Sequence, residues 1–442
     1  MIVARTNALQ RFASRYASFA AARIALVIGR WFVLVQSARH LDAVEFAALA
    51  AALSAAEILR ALSDGGVDAF TYSRLGRAGH PLRITVRAAL LLRLSLSLVI
   101  AGLATIVIVR VGIQPQLLPV LALIPATAMQ STSVALLQKE AQFGAMAVLV
   151  AGTLLASLAV DWLAYSQAPK LATMALLLVT PDIAAAVIAA ALVSPQVLAL
   201  TRQALHRRRS LQRQLRPVAG KLIPAAAVSI LVIVYSRLDV AIVRPLAGSI
   251  EQANYSAGFR LIEPAFMLFA IASFALLAEL GAGRTNDVRH VATRLLKLPR
   301  TALLLGFPAL AAVSATVAVT IALLVIGLTP EASYLAGIFA AAVPFRIANS
   351  MLSALLLRFG RFDTVMHAAL FNGGITFSFA IALVTIYGAA GAATAALIGE
   401  IFNTAYQRFR LRRQLENSPA GTVSLTTAVP NTSASATTPP AV

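Results

Sequence analysis

The sequence predicts an all-α, polytopic membrane protein of about 12 transmembrane helices in two six-helix bundles, a 6+6 repeat. Three observations predict it. Of the 442 residues, 59% are hydrophobic and only 12% charged, with a mean hydropathy of +0.82, which leaves too little polar surface for a soluble chain of this length. Apolar runs of membrane-spanning length recur along the whole sequence. The basic residues concentrate in every second connection between those runs, the pattern of the positive-inside rule.

At roughly 20 mostly apolar residues per span, the first half gives spans at 17–38, 43–63, 88–110, 116–137, 143–165 and 171–200. The second half gives 222–243, 252–280, 300–328, 332–357, 363–387 and 389–410. Three of these, 171–200, 252–280 and 300–328, are long enough to tilt or to kink at Pro181, Pro264 or Pro308. Arg74, Arg77, Arg83 and Arg87 follow the second span, and Arg207, Arg208, Arg209, Arg213 and Arg216 the sixth. Further groups follow the eighth (Arg284, Arg289, Arg294, Lys297), the tenth (Arg358, Arg361) and the last (Arg408, Arg410, Arg412, Arg413). The intervening turns carry at most one basic residue each, so both termini are expected in the cytoplasm.

The most basic connection divides the chain into an N-terminal lobe (1–205), a cytoplasmic linker (206–216) and a C-terminal lobe (217–413), before a disordered tail (414–442) rich in Ser, Thr, Ala and Pro. A faint internal echo fits the division: Phe46-Ala47-Ala48-Leu49 after Glu45, and Tyr255-Ser256-Ala257-Gly258-Phe259 after Glu251.

Composition also excludes functions. Lys and Arg number 37 against 17 Asp and Glu, a net charge of +20. Spread between apolar runs, this charge points to anionic membrane lipids as partners and not to nucleic acid. The chain has no cysteine, which excludes disulfides and thiolate metal sites, and its five histidines are too scattered for a metal cage. No connection is long enough to hold a catalytic domain and no phosphate-binding loop is present, so neither an enzyme nor a cofactor is expected.

The informative residues are charges at bilayer depth, where an Arg or Asp costs roughly 2.5–3.5 kcal/mol and so marks a cavity, an ion pair or an ion path. Arg23 and Arg30 lie seven residues apart on the first span, Glu57 and Arg60 on the second, and Asp182 on the sixth. Arg237 and Asp239 lie on the seventh, Arg260 and Glu263 on the eighth, Arg346 on the tenth and Glu400 on the twelfth. Arg23, Arg30, Arg60, Arg237, Arg260 and Arg346 are the candidates for binding an anionic substrate, because the guanidinium fork suits phosphate. Asp182, Asp239, Glu263 and Glu400 are the candidates for ion coupling. Each arginine has a competing reading as an interhelical tie. Glu57/Arg60 and Arg260/Glu263 also have the spacing of same-helix pairs. Arg93 and Arg110, near span ends, are expected to snorkel to the headgroups.

Several stretches carry a family resemblance. Tyr235-Ser236-Arg237-Leu238-Asp239-Val240-Ala241-Ile242 with Tyr255-Ser256-Ala257-Gly258-Phe259-Arg260-Leu261 resembles the helix seven–eight signature of polysaccharide-repeat (Wzx-type) flippases, in the multidrug/oligosaccharidyl-lipid/polysaccharide exporter superfamily. Gly388-Ala389-Ala390-Gly391-Ala392-Ala393 is similar to that family's opening of the last helix, and Leu62-Ser63-Asp64-Gly65-Gly66-Val67 to its end of helix two. The resemblance covers roughly residues 10–413. It implies a flippase that moves a polyprenyl-pyrophosphate-linked oligosaccharide across the bacterial inner membrane by alternating access, for cell-surface polysaccharide such as O-antigen, with the polymerase machinery as a further partner. The alternatives are a drug or metabolite exporter of the same superfamily, expected to use acidic sites, and a lipid II flippase, expected to carry two additional helices.

Overall fold

The computed structural model describes residues 30–67, 84–111, 114–139, 143–166, 170–206, 242–282, 305–359 and 361–417, with parts of 223–237 and 291–296. Arg23, Asp239, the linker beyond His206 and the tail beyond Asn417 lie outside the described residues. Of the described residues, 96% are helical and none is in a strand. Lipid offers backbone N–H and C=O groups no partner, and the helix satisfies each of them within its own segment.

The first six helices are α1 (30–40), α2 (Ala43–Asp64), α3 (Ile84–Val111), α4 (Leu123–Lys139, entered through a 3-10 segment at Pro115–Ala122), α5 (Phe143–Ser166) and α6 (Leu171–His206). They are followed by α7 (helical residues within 223–236), α8 (Arg244–Ala282), α9 (Phe307–Thr320, continued by a π segment at Ile321–Ile326) and α10 (Pro330–Arg358). The last helical stretch, Phe362–Asn417, is broken at Gly388 into α11 (362–387) and α12 (389–417). These elements fall where the twelve predicted spans lie. Eight of the described helical stretches are long and apolar enough to cross a membrane, and one of them is the broken pair.

Several hydroxyls inside the spans are satisfied by their own helix. Ser37, Thr153 and Thr320 each donate their hydroxyl to the carbonyl four residues back, at 2.7–2.9 Å. Helix ends are capped by short polar residues: the Asp42 carboxylate accepts from the Glu45 N–H at 2.7 Å, and the Thr329 hydroxyl from the Ala332 N–H at 3.2 Å.

Each half has its own core. Val33, Leu49, Leu53, Leu123, Met174 and Leu178 pack together in the N-terminal half. Tyr255, Phe259, Ala336, Phe339, Val384 and Ala392 do so in the C-terminal half. Helix α6 packs on α4 and α5, while α10 packs on α8, α9 and the 362–417 stretch; α2 against α8 forms the seam between the halves.

Two glycines set the geometry of the C-terminal half. At Gly258 a Cβ would stand 2.7 Å from the Ala332 carbonyl oxygen and 2.9 Å from the Ala336 nitrogen, so α8 and α10 meet backbone to backbone. At Gly388 the backbone turns through φ 56° and ψ −138°, a conformation only glycine takes easily. The Glu251 carboxylate on α8 accepts there from the Ala389 N–H at 2.8 Å and neutralises the positive end of α12.

The prolines behave differently from expectation. Helix α6 continues through Pro181, the break in α8 is at Gly248 rather than Pro264, and Pro308 sits in the first turn of α9. Residues 305 and 306 ahead of Pro308 are already helical, so the helical stretch continues through it. Arg93 also corrects the sequence reading. It does not snorkel; it is buried and pairs with Asp64 at 3.2 Å, since a partner within the lobe lies closer than the headgroups. Finally, α12 runs to Asn417, past the expected start of the tail, because Leu411 and Leu415 pack against Leu352, Leu355 and Leu356 and Arg412 pairs with Glu416.

Gly258→Val forces the α8 and α10 backbones apart, and overpacking of this kind costs about 1–3 kcal/mol. Thermal unfolding in detergent is expected to show a loss of several degrees, whereas Gly102→Val on α3, where a Cβ meets nothing, leaves the midpoint in place.

Candidate functional site

The site lies where α1, α2, α6, the end of α7 and α8 converge at mid-membrane depth. At 1.5 Å per residue, Glu57 is about 21 Å along α2 and Asp182 about 16 Å along α6, near the centre of a hydrocarbon core of about 30 Å. Ser54 and Glu57 lie one turn apart on α2, and Arg260 and Glu263 one turn apart on α8, so each helix offers two polar groups on one face. Arg237 follows the last described helical residue of α7, with its N–H bonded to the Val234 carbonyl at 3.1 Å.

Arg30 grips Asp182 with both arms of its fork, Nε donating to Oδ2 at 2.6 Å and Nη2 to Oδ1. Across the seam, Nη2 of Arg237 donates to the Glu57 carboxylate and also to Glu263 Oε1 at 2.7 Å. Arg260 donates from Nη1 to Glu263 Oε2 at 2.6 Å and from Nη2 to the Ser54 hydroxyl at 3.1 Å. Its Nη1 lies 3.8 Å from Glu57 Oε2. Phe259 supplies an aromatic face to both cations, with its ring centroid 5.2 Å from the Arg237 guanidinium carbon and 5.9 Å from that of Arg260. Beside this network lies a cavity of about 20 Å³ lined by Arg30, Trp31, Glu57, Arg260, Glu263 and Pro264 among others. That volume accommodates one water-sized body.

Among the described residues the network is balanced, with three guanidiniums facing three carboxylates. Breaking one member of a buried pair typically costs about 3–5 kcal/mol, because the other charge stays in low dielectric without compensation. Division by lobe is uneven. The N-terminal side presents Arg30, Glu57 and Asp182; the C-terminal side presents Arg237, Arg260 and Glu263. Each face therefore carries one surplus charge, opposite in sign to that of the other.

Of the residues singled out from sequence, Arg30, Arg237, Arg260, Asp182 and Glu263 meet here. Arg346 and Glu400 instead form a second cluster within the C-terminal lobe, 3.6 Å apart. Asn349 donates to the same carboxylate at 2.6 Å, and Phe266 stacks 4.2 Å from the Arg346 guanidinium carbon. Arg60 stands half-buried one turn beyond Glu57, and its carbonyl accepts from the Ser63 hydroxyl. The Glu57/Arg60 spacing was the wrong guide for Glu57, whose carboxylate reaches Arg237 and Arg260 on the opposite lobe. Spacing along one helix sees only that helix, and Arg237 is 180 positions away. Ser54 and Phe259 are site residues that sequence reasoning did not put forward, and Glu57, singled out as a charge at bilayer depth, was not among the candidates for binding or coupling. The available signal was a mid-span acid opposite a mid-span Arg-x-x-Glu.

This architecture matches solved structures over nearly its whole length. An inward-facing multidrug resistance transporter of the MATE family, in the MOP superfamily, aligns with a TM-score of 0.59 at 15% identity, covering 89% of this chain and 94% of that one. A Vibrio cholerae MATE transporter aligns at 0.60 and 13% identity, covering 93% and 99%. A eukaryotic MATE transporter aligns at 0.56 and 13%, covering 93% and 96%. The fold is that of the MATE transporters. It is a multi-pass membrane fold of twelve helices in two bundles, and at these identities the likeness is one of fold alone. Neither a family model nor a curated protein matches the chain by sequence.

Within this MATE fold, Asp182→Ala is expected to lower stability by about 3–5 kcal/mol, because it leaves the Arg30 guanidinium uncompensated inside the lobe. Arg30→Met/Asp182→Leu should recover most of that loss. Denaturant titration of the two variants and of each single change gives the coupling, and a coupling near zero would show the pair to be energetically idle.

Proposed function

We propose that this MATE-fold protein is a flippase that carries a polyprenyl-pyrophosphate-linked oligosaccharide across the bacterial inner membrane, for cell-surface polysaccharide synthesis. One observation carries the reading: two buried guanidiniums, from Arg237 and Arg260, and a partly buried third, from Arg30, converge at the lobe seam. A pyrophosphate is the part of such a substrate that lipid rejects most strongly, and the arginine fork is the side chain best matched to it. Alternating access, the mode that the fold suggests, would expose this seam first to the cytoplasm and then to the outside, while the polyprenyl tail stays in lipid.

In this reading no covalent chemistry takes place, both termini are cytoplasmic, and the lobes of 1–205 and 217–413 rock about the 206–216 linker. Arg346 offers the head group a second cationic contact, and Arg23 and Arg60 extend the cationic path. Glu263, with Asp182, Asp239 or Glu400, couples movement to an ion gradient. Anionic lipids and the polysaccharide polymerase machinery are the partners that the same reading implies.

A second reading is favoured by the neighbours themselves, one of which is a multidrug resistance transporter. In that reading Glu57, Asp182 and Glu263 receive a cationic solute and the arginines hold the acids in place.

The two separate in proteoliposomes. Wild type is expected to translocate a polyprenyl-pyrophosphate oligosaccharide, and Arg30→Ala and Arg260→Ala to lose more than about tenfold in rate while remaining folded. Transport of a cationic drug by wild type, with no glycolipid movement, would transfer the conclusion to the second reading.

A further inference from the structure

We propose that Glu57 is a built-in substitute for the substrate's phosphate: it fills the Arg237/Arg260 subsite while the lobes are closed and exchanges with a phosphate or pyrophosphate group when they part. The inference rests on the flippase reading for its substrate class, and on the seam geometry for the exchange itself.

Four observations lead to it. Glu57 is the carboxylate of this network that crosses the seam: it stands on α2 and pairs with Arg237 beyond α7 and with Arg260 on α8. The other carboxylates pair within their own lobes, Asp182 with Arg30 and Glu263 with Arg237 and Arg260. Among the described carboxylates, separation of the lobes therefore removes Glu57 from the subsite and leaves Glu263 in place. What remains of the subsite on the C-terminal face, among the described residues, is two guanidiniums against the Glu263 carboxylate.

Glu57 also fills the subsite incompletely. Arg260 is 3% exposed, its Nε has no hydrogen-bond partner among the described residues, and its Nη1 stays 3.8 Å from the Glu57 oxygen that Arg237 engages. A phosphate brings three or more acceptor oxygens where a carboxylate brings two, so it can occupy donors that Glu57 leaves idle. The Ser54 hydroxyl, 3.1 Å from Arg260 Nη2, departs with α2 and frees one more donor. Finally, the small cavity beside Glu57, Arg260 and Glu263 leaves open space against the subsite on the Arg30 side. An internal anion of this kind has a clear advantage in a bilayer. The arginines are never without a counter-charge, and an empty carrier can close and return without bound substrate.

The test measures binding of inorganic pyrophosphate and of a polyprenyl pyrophosphate to the purified full chain in nanodiscs. Glu57→Gln is expected to bind inorganic pyrophosphate at least about tenfold more tightly than wild type. Glu57→Asp should stay near wild type, and the gain should vanish in Glu57→Gln/Arg260→Gln. Unchanged or weaker binding by folded Glu57→Gln would overturn the exchange and make Glu57 a structural tie. Tighter binding of inorganic pyrophosphate without any affinity for the polyprenyl form would keep the subsite and remove the lipid-linked substrate. A second measurement needs no change at Glu57. The chain contains no cysteine, so spin labels can be placed at Val44→Cys and Tyr334→Cys, exposed positions on opposite lobes. Saturating pyrophosphate is expected to shift the interlobe distance in the otherwise wild-type protein, and an unmoved distribution would equally overturn the exchange.

Discussion

A bilayer solvates neither an open peptide group nor a charge, and every feature of this protein answers to that constraint. It makes the backbone helical and turns serine and threonine hydroxyls back onto their own helices. It also dictates that a guanidinium placed at mid-depth must arrive with its carboxylate. The balance of cations and acids at the seam is thus the condition for having arginines there at all. The cavity of about 20 Å³ beside them leaves room for no more than one water-sized body.

Ion pairs in this protein do two different things, and their position distinguishes them. Arg93 with Asp64 and Arg346 with Glu400 join helices of one lobe and hold its shape. Glu57 with Arg237 and Arg260 joins the lobes, where a purely apolar contact would seal as well but could not be rehydrated cheaply on opening. The aromatic pair Phe259 and Phe266, 6.0 Å apart, runs between the two kinds of cluster and faces cations at each end. The C-terminal lobe therefore presents a continuous path of arginine and ring along α8.

The fold was legible almost completely from sequence, because membrane spans are long, apolar and separated by charge. Even the junction between the last two helices was visible, since Gly388 marks a backbone turn that a side chain would obstruct. The site was legible by residue but not by pairing. Arg30, Arg237, Arg260, Asp182 and Glu263 stood out as charges at a depth where charges are costly, yet which acid meets which base depends on how helices cross. Glu57 shows the difference: its i+3 neighbour is Arg60, but its carboxylate turns toward α8. Arg93 failed for a related reason, since depth along one span says nothing of a partner on the next. Pro181 and Pro264 misled because a proline inside a helix need not break it: α6 continues through the first, and the break in α8 lies at Gly248 instead of the second.

The contact at Gly258 has a mechanical consequence. With no side chain between them, α8 and α10 form a double-walled girder, and the Glu251 carboxylate at the head of α12 fastens a third member to it. Such a girder resists shear along its length, so Arg260 and Glu263 are carried as fixed teeth, not as side chains on a pliant helix. A stroke of the C-terminal lobe would then be passed to the interface with α2. There the ion pairs of Glu57, the Gln252 and Ser54 hydrogen bonds and the packing of Ala253 on the α2 core are what must be undone.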